Sequence, residues 1–363
     1  MNRKLTKQVW VGNVAIGGGA PISIQSMTNT DTRDIKATVE QIARLADEGC
    51  DIIRCAVPDT EAAEAISHIK KAVRIPLVAD IHFDYRLALQ AILNGADKIR
   101  LNPGNIGGPD KVRAVLDAAK ERGIPIRAGV NSGSLEKHLI DKHGGVTAEA
   151  LAESAAATVR LMEAMDFDDI IVSIKASDIK LNYDAHLILS EKLKYPLHIG
   201  ITESGTVNKG KTKSAAGIGA LLLAGIGDTV RVSLTGDPIM EIRFARELLQ
   251  ATGHIKSGID LISCPTCGRT GVDLISMAER VEERLLPYNE RWMKEKRRPI
   301  KVAVMGCEVN GPGEAREADL GIAFGRGRGA VFSKGKLEGT YPEDRCIDAL
   351  FDLLAKELNK QPD

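Results

Sequence analysis

The chain has 363 residues, 44% of them hydrophobic and 27% charged, with 49 basic against 49 acidic side chains and a formal net charge of zero. That length buries one large core and a second, smaller one. The neutral balance and an aromatic content of 4% argue against a nucleic-acid-binding surface, and no apolar run approaches membrane-spanning length.

The N-terminal stretch MNRKLTKQVWVG is basic but leads into no apolar h-region. Six cysteines without an export signal predict reduced thiols in the cytoplasm rather than a disulfide framework. Residues 1–20 read as a hairpin, Val9–Val11 and Val14–Ile16 about a Gly12-Asn13 turn, ended by Gly17-Gly18-Gly19. Short apolar runs then recur at Ile22–Met27, Asp51–Val57, Pro76–Ile81, Lys98–Leu101, Pro125–Val130, Ile170–Ile174, Leu197–Ile201 and Thr229–Leu234. Between them lie stretches of helical periodicity, among them Ile35–Ala46, Ala62–Val73, Tyr85–Leu93, Pro109–Glu121, Ala148–Met165 and Ala185–Leu193. Eight strand–helix units in roughly 250 residues predict a (β/α)8 TIM barrel over residues 1–250.

An internal echo supports the repeat. Gly49-Cys50-Asp51, Gly95-Ala96-Asp97 and Gly227-Asp228 each place a Gly at a helix end and an Asp before a strand that carries a cation near its far end. Residues 251–258 read as a linker. Residues 259–363 predict a small α+β domain, with strands into Cys264 and Cys307, a helix over about Gly271–Leu286, strands near Leu320–Phe324 and Ala330–Phe332, and a last helix from about Glu343.

Barrel chemistry gathers at the carboxyl ends of the strands. Those ends carry Gln25, Ser26, Arg54, Asp80, His82, Arg100, Asn102, Arg127, Asn131, Lys175, Thr202, Glu203, Arg231 and Ser233. Five cations from five strands, Arg54, Arg100, Arg127, Lys175 and Arg231, would repel one another in one mouth unless an anion joined them. Arginine also suits bidentate contact with phosphate. The mouth is therefore expected to take a small polyanionic ligand, the competing expectation being structural ion pairs with Asp80 and Glu203. Glu203, ahead of Ser204-Gly205, is placed for proton transfer; His82 is as readily a hydrogen-bonding histidine.

Gly205–Thr212 satisfies the G-x-x-x-x-G-K-[ST] phosphate-loop pattern. The next strand ends Arg231-Val232-Ser233-Leu234, without the magnesium-binding Asp that a nucleotide hydrolase needs. The stretch is expected instead to form a mobile, Lys-rich loop over the mouth.

Cys264-Pro265-Thr266-Cys267 and Cys307-Glu308-Val309-Asn310-Gly311-Pro312-Gly313-Glu314 put three thiols in two short loops at strand ends. Spacing leaves an iron–sulfur cluster and a structural zinc both open. The glycines around Cys307 favour the bulkier cluster, and Cys346 or His254 stand as fourth ligands of a zinc. Cys50 and Cys55 read as packing residues.

These loops, with Ser23-Ile24-Gln25-Ser26-Met27-Thr28 and Val78-Ala79-Asp80-Ile81-His82-Phe83, closely resemble the 4-hydroxy-3-methylbut-2-en-1-yl diphosphate synthase family over nearly the whole chain, in its compact two-domain bacterial form. The resemblance implies a 4Fe-4S cluster on Cys264, Cys267, Cys307 and the carboxylate of Glu314, a ligand more easily displaced than a thiolate. It implies 2-C-methyl-D-erythritol 2,4-cyclodiphosphate as substrate. Arg54, Arg100, Arg127, Lys175 and Arg231 would hold the diphosphate, aided by Asn102, Asn131, Thr202 and Ser233. Asp80, His82 and Glu203 would lie nearest the reacting carbons. Electrons would come from a flavodoxin or ferredoxin.

A barrel's last helix returns to the face opposite the mouth, so the eight or so linker residues would start about 20–30 Å from the chemistry. A head-to-tail homodimer, each cluster domain capping its partner's barrel, is the simpler expectation. Two other functions compete on the residues alone. One is a zinc-stabilised barrel lyase or aldolase acting on a phosphorylated sugar through a Lys175 Schiff base. The other is a nucleotide-binding regulatory protein using Gly205–Thr212.

Overall fold

A computed structural model describes residues 3–102, 106–295, 297–309, 311–325 and 327–360. The chain divides into two compact units, Met1–His254 and Ile255–Asp363.

The first unit opens with an antiparallel hairpin, β1 (Val9–Val11) and β2 (Val14–Ile16). Eight parallel strands follow: β3 (Ser23–Met27), β4 (Ile52–Ala56), β5 (Leu77–Asp80), β6 (Lys98–Leu101), β7 (Ile126–Asn131), β8 (Ile170–Lys175), β9 (His198–Ile199) and β10 (Thr229–Val230). Their order is β8-β7-β6-β5-β4-β3-β10-β9, and a parallel bridge from Val172 to Leu197 joins the two ends into a barrel. The helices between them are α1 (Ile35–Asp47), α2 (Thr60–Ala72), α3 (Tyr85–Leu93), α4 (Pro109–Arg122), α5 (Lys137–His143), α6 (Ala148–Ala164), α7 (Ile179–Lys192), α8 (Val207–Leu223) and α9 (Pro238–Ala251). Val9, Val11 and Ile16 of the hairpin pack on Ile52, Val78 and Ile171 near the strand starts, closing the barrel's amino-terminal end with apolar side chains.

The repeated Gly–Asp element has a physical basis. Gly49, Gly95 and Gly227 hold φ of 100°, 91° and 120°, a conformation that glycine adopts without strain. Each turn delivers an Asp whose carboxylate accepts from a backbone amide near the start of a neighbouring run. Asp51 Oδ2 accepts from Ile24 at 2.7 Å, Asp97 Oδ2 from Leu77 at 2.7 Å and Asp228 Oδ2 from Leu197 at 2.9 Å. The aspartates thus fix strand register from the closed end.

Two expectations need correction. The last two barrel strands are two residues long, because the chains cross closely beyond them: a Cβ on Gly200 would stand 2.6 Å from the Arg231 carbonyl oxygen. The stretch expected as a mobile loop is largely the start of α8, which begins at Val207. Gly210 lets that helix seat against its neighbours, since a Cβ there would meet Leu234 Cδ2 at 2.6 Å and Ser204 Oγ at 2.9 Å.

The second unit is a five-stranded sheet in the order β11 (Ile259–Ser263), β12 (Ile300–Met305), β13 (Leu320–Gly325), β14 (Arg328–Ser333) and β15 (Lys336–Pro342). β11, β12 and β13 run parallel, and β14 and β15 continue as an antiparallel meander. Helices α10 (Leu274–Lys294) and α12 (Glu343–Leu358) pack through Val281, Leu285, Leu350 and Leu354 onto Val302, Ile322 and Phe324. α10 starts three residues later than expected, where Asp273 accepts from Ser276 N as its cap. A short helix, α11 (Gly311–Glu317), stands where sequence suggested a tight glycine loop. No described helix in either unit is long and apolar enough to cross a membrane.

Candidate active site

Successive inward side chains of a strand are two residues apart. On β6 this puts Lys98 and Arg100 in the barrel interior, one layer apart, and the ladder sets Asp80 beside Arg100 and Arg100 beside Arg127. A cavity of about 380 Å³ opens above them. Its wall includes Arg54, Asp80, His82, Arg100, Asn131, Lys175, Thr202, Glu203 and Arg231. Ser132, Gly133 and Ser134, a single 3-10 turn after β7, complete it.

Five residues expected at the strand ends stand outside that wall, and two of them, Gln25 and Ser26, are buried at 1% and 0% exposure. Arg127 is 0% exposed and lies deeper. Asn102 is half-buried just past β6. Ser233 is half-buried, its carbonyl taken by the Ser204 hydroxyl.

The charges are unbalanced. Asp80 Oδ2 lies 3.8 Å from Arg54 Nε and 3.3 Å from His82 Nε2, while Oδ1 lies 3.4 Å from Arg100 Nη1. Burial pushes the Asp80 carboxyl up, but the His82 hydrogen bond and the fields of Arg54, Arg100 and Arg127 outweigh it and hold the group well below the usual range. Burial, then the like charges of Arg54, Arg127, Arg231 and Arg100, holds Lys175 well below an ordinary lysine. Arg127 suffers most. Burial and the neighbouring Arg54 and Arg100 disfavour its charge, and among the described residues Nε, Nη1 and Nη2, all buried, have no hydrogen-bond partner. Arg100 Nε and Arg231 Nε are unpartnered too. Buried donors with no acceptor are costly, so this geometry calls for an anion with several oxygens.

Glu203 does not serve as the pairing acid. It is exposed, and its backbone sits at φ 52°, left-handed and rare for a residue with a Cβ. The second buried carboxylate is Glu241, in the first turn of α9, which accepts from Leu234 N at 2.9 Å and Ser26 Oγ at 3.2 Å. Burial raises its pKa against the field of Arg231. A reading of strand ends misses Glu241 because a helix supplies it. It also misses Lys98, although the two-residue alternation with Arg100 was there to be read.

In the second unit, the parallel register of β11 and β12 pairs Ser263 with Val304, so the loops bearing Cys264 and Cys307 leave the sheet side by side. Gly306 N donates to Cys264 Sγ at 3.4 Å and Gly271 N to Gly306 O at 3.1 Å. Cys267 and Thr270 close a tight turn through two hydrogen bonds of 3.1 and 3.0 Å. Glu314 lies in the first turn of α11, whose Ala315 shares an apolar cluster with Met305 and Cys264. Among the described residues, no three His, Cys, Asp or Glu side chains are grouped closely enough to hold a metal ion as they stand. The donor chemistry nevertheless fits an iron–sulfur group: three thiols that are not fully buried, a backbone amide on one sulfur, and an exposed carboxylate. Cys346 does not belong to it, being 0% exposed in the core with its thiol turned to the carbonyls of Tyr341 and Pro342. Burial likewise pushes Cys50 up to about 12 and Cys55 to about 11, so neither offers a thiolate.

The profile of the GcpE TIM-barrel domain matches residues 6–246, and that of the GcpE protein C-terminal domain matches residues 260–356. The chain is 55% identical over 359 residues to 4-hydroxy-3-methylbut-2-en-1-yl diphosphate synthase (flavodoxin) of Caldanaerobacter subterraneus subsp. tengcongensis, covering 99% of each. It is 56% identical over 350 residues to the protein of the same name from Ruminiclostridium cellulolyticum, covering 96% of this chain and 97% of that one. Among solved structures, Yersinia pestis dihydropteroate synthase superposes with a TM-score of 0.50 at 12% identity, over 68% of this chain and 97% of that one. That likeness speaks for the barrel fold alone.

Proposed function

This chain belongs to the 4-hydroxy-3-methylbut-2-en-1-yl diphosphate synthase (GcpE) family, and from that premise we propose that it reductively opens the ring of 2-C-methyl-D-erythritol 2,4-cyclodiphosphate. The products are (E)-4-hydroxy-3-methylbut-2-enyl diphosphate and water. The observation that carries the reading is the mouth itself, where Arg54, Arg100, Lys175 and Arg231 surround a cavity with Asp80 as their one close carboxylate partner among the described residues.

The chain's own part is to bind and orient. Arg54, Arg100, Lys175 and Arg231, with Arg127 beneath, receive the two phosphoryl groups; Asn102, Asn131, Thr202 and Ser233 add hydrogen bonds. Asp80 keeps Arg54 and Arg100 aimed inward between turnovers and fixes His82. Glu203 is the acid/base candidate, because its side chain stands on the wall at the exposed end of the cavity. A 4Fe-4S cluster held by Cys264, Cys267, Cys307 and Glu314 would supply the two electrons, delivered to it by flavodoxin or ferredoxin in the cytoplasm. In a head-to-tail homodimer the C-terminal unit of one protomer would close the barrel of the other, a reading supported by the shortness of residues 251–258.

Anaerobic turnover of the cyclodiphosphate with an artificial reductant tests the function. Wild type should convert it, and Glu314→Ala and Cys307→Ser should lose at least about 100-fold in rate. Mixing Arg231→Ala with Cys307→Ser protein tests the dimer: activity recovered on mixing supports sites shared between protomers, and none recovered sinks that arrangement.

A further inference from the structure

Below the cavity lies a charged side chain that the substrate reading leaves unused. Lys98 is 0% exposed and comes from the first position of β6, one layer nearer the closed end than Arg100. Its Nζ donates to Gln25 Oε1 at 3.0 Å, and among the described residues it has no ion pair. The nearest charges are of its own sign. Burial first, then the fields of Arg127 and Arg54, holds Lys98 well below the ordinary lysine range. His198, also 0% exposed and with Nε2 unpartnered among the described residues, is held down by burial and by Arg127, Lys175, Lys98 and Arg54. The other charged groups of this interior are Asp80, Arg100 and Arg231, with Glu241 reaching in from α9. Asp80 is already engaged by Arg54, Arg100 and His82, and Glu241 by Ser26 and Leu234.

A guanidinium keeps its proton under all ordinary conditions, whereas a buried lysine gives its proton up. The free barrel therefore sheds part of its repulsion at the lysines. A polyanion seated on Arg54, above the buried Arg127, offsets the field that disfavours the ammonium. We propose that Lys98 takes up one proton from solvent when the cyclic diphosphate fills the mouth, so that the barrel floor gains a positive charge only on binding. Lys98 would thereby act as a positioning and specificity residue from beneath, without touching the substrate. A doubly charged ligand would recruit this charge more completely than a singly charged one.

The inference rests on the substrate reading above, and one experiment separates the two. Titration calorimetry would follow binding of the cyclodiphosphate to the full chain, cluster reconstituted anaerobically and no reductant present. Runs at one near-neutral pH would use buffers of differing ionisation enthalpy. The slope of apparent heat against buffer enthalpy counts protons taken up, and the diphosphate diester is fully ionised and contributes none. Wild type should take up protons, and Lys98→Met should take up about one fewer. Lys98→Arg, charged in both states, should likewise take up about one fewer while keeping its affinity closer to wild type. Binding without any proton uptake by wild type overturns the proposal even if neither variant folds. Equal uptake by wild type and both variants overturns it as well. No binding at all overturns both this and the substrate reading.

Discussion

Asp80 Oδ1 stands 3.4 Å from Arg100 Nη1, on adjacent strands in direct register, while the other oxygen of the same carboxylate faces Arg54. One buried acid thus restrains two arginines that otherwise face like charges. Removing one partner of a buried pair costs about 3–5 kcal/mol, so Asp80→Asn should lower the stability of the ligand-free protein by that order in chemical denaturation. The folded-state pKa of Asp80 is depressed. Its contribution is therefore complete above the unfolded value of about 4 and is lost as the pH falls from there through the folded value. The variant should lack that acid-side loss, and a variant with an unchanged acid limb would place the restraint elsewhere.

Arg127 predicts the opposite sign. Among the described residues its three guanidinium nitrogens have no hydrogen-bond partner in a fully buried position. Replacing a buried ion pair by apolar side chains of similar volume is often neutral or stabilising by about 1–4 kcal/mol, and a lone buried cation has less Coulombic gain to lose, so Arg127→Met should raise the denaturation midpoint of the free protein. The same change should weaken cyclodiphosphate binding by about 100-fold, near 3 kcal/mol, by removing a buried positive charge from beneath the site. A variant both less stable and unchanged in affinity would mean that Arg127 serves the fold.

Much of this was legible in the sequence because barrels are periodic. Recurring apolar runs located all eight strands, and Asp51, Asp97 and Asp228 marked a turn chemistry that the fold repeats as three equivalent hydrogen bonds. What escaped was set by contacts remote in sequence. β9 and β10 are short because Gly200 lies against the Arg231 carbonyl. Residues 205–212 read as a loop because their glycines and lysines fit a phosphate-loop pattern, yet packing of Gly210 on Leu234 and Ser204 accompanies a helix from Val207 onward. Glu241 carries no strand-end signature at all. β15, rich in Lys, Glu and Gly and largely exposed, has little of the alternation that reveals a half-buried strand.

The cysteines should separate cleanly. Cys264→Ser, Cys267→Ser and Cys307→Ser should each yield reconstituted protein with sharply reduced iron and sulfide per chain. Cys346→Ala, a change inside the core, should keep its iron and lose about 1–2 kcal/mol of stability. Iron lost from the Cys346 variant, with its fold intact by circular dichroism, would return that thiol to the ligand set.

Glu203 combines a place on the cavity wall with an unfavourable backbone. At φ 52° a residue bearing a Cβ is strained, whereas Gly205, two positions on at φ 101°, is not. Glu203→Gly should therefore stabilise the fold by up to about 1 kcal/mol, less the entropy that glycine loses on folding. Glu203→Gln keeps size and strain while removing the charge. If the carboxylate moves a proton during turnover, both variants should lose about 100–10,000-fold in kcat, with KM changing far less. The glycine variant alone should melt higher. If Glu203 only shapes the wall, Glu203→Gln should keep its kcat and the loss should appear in KM. The pair of variants thus distinguishes a strained backbone kept for proton transfer from one kept for cavity shape.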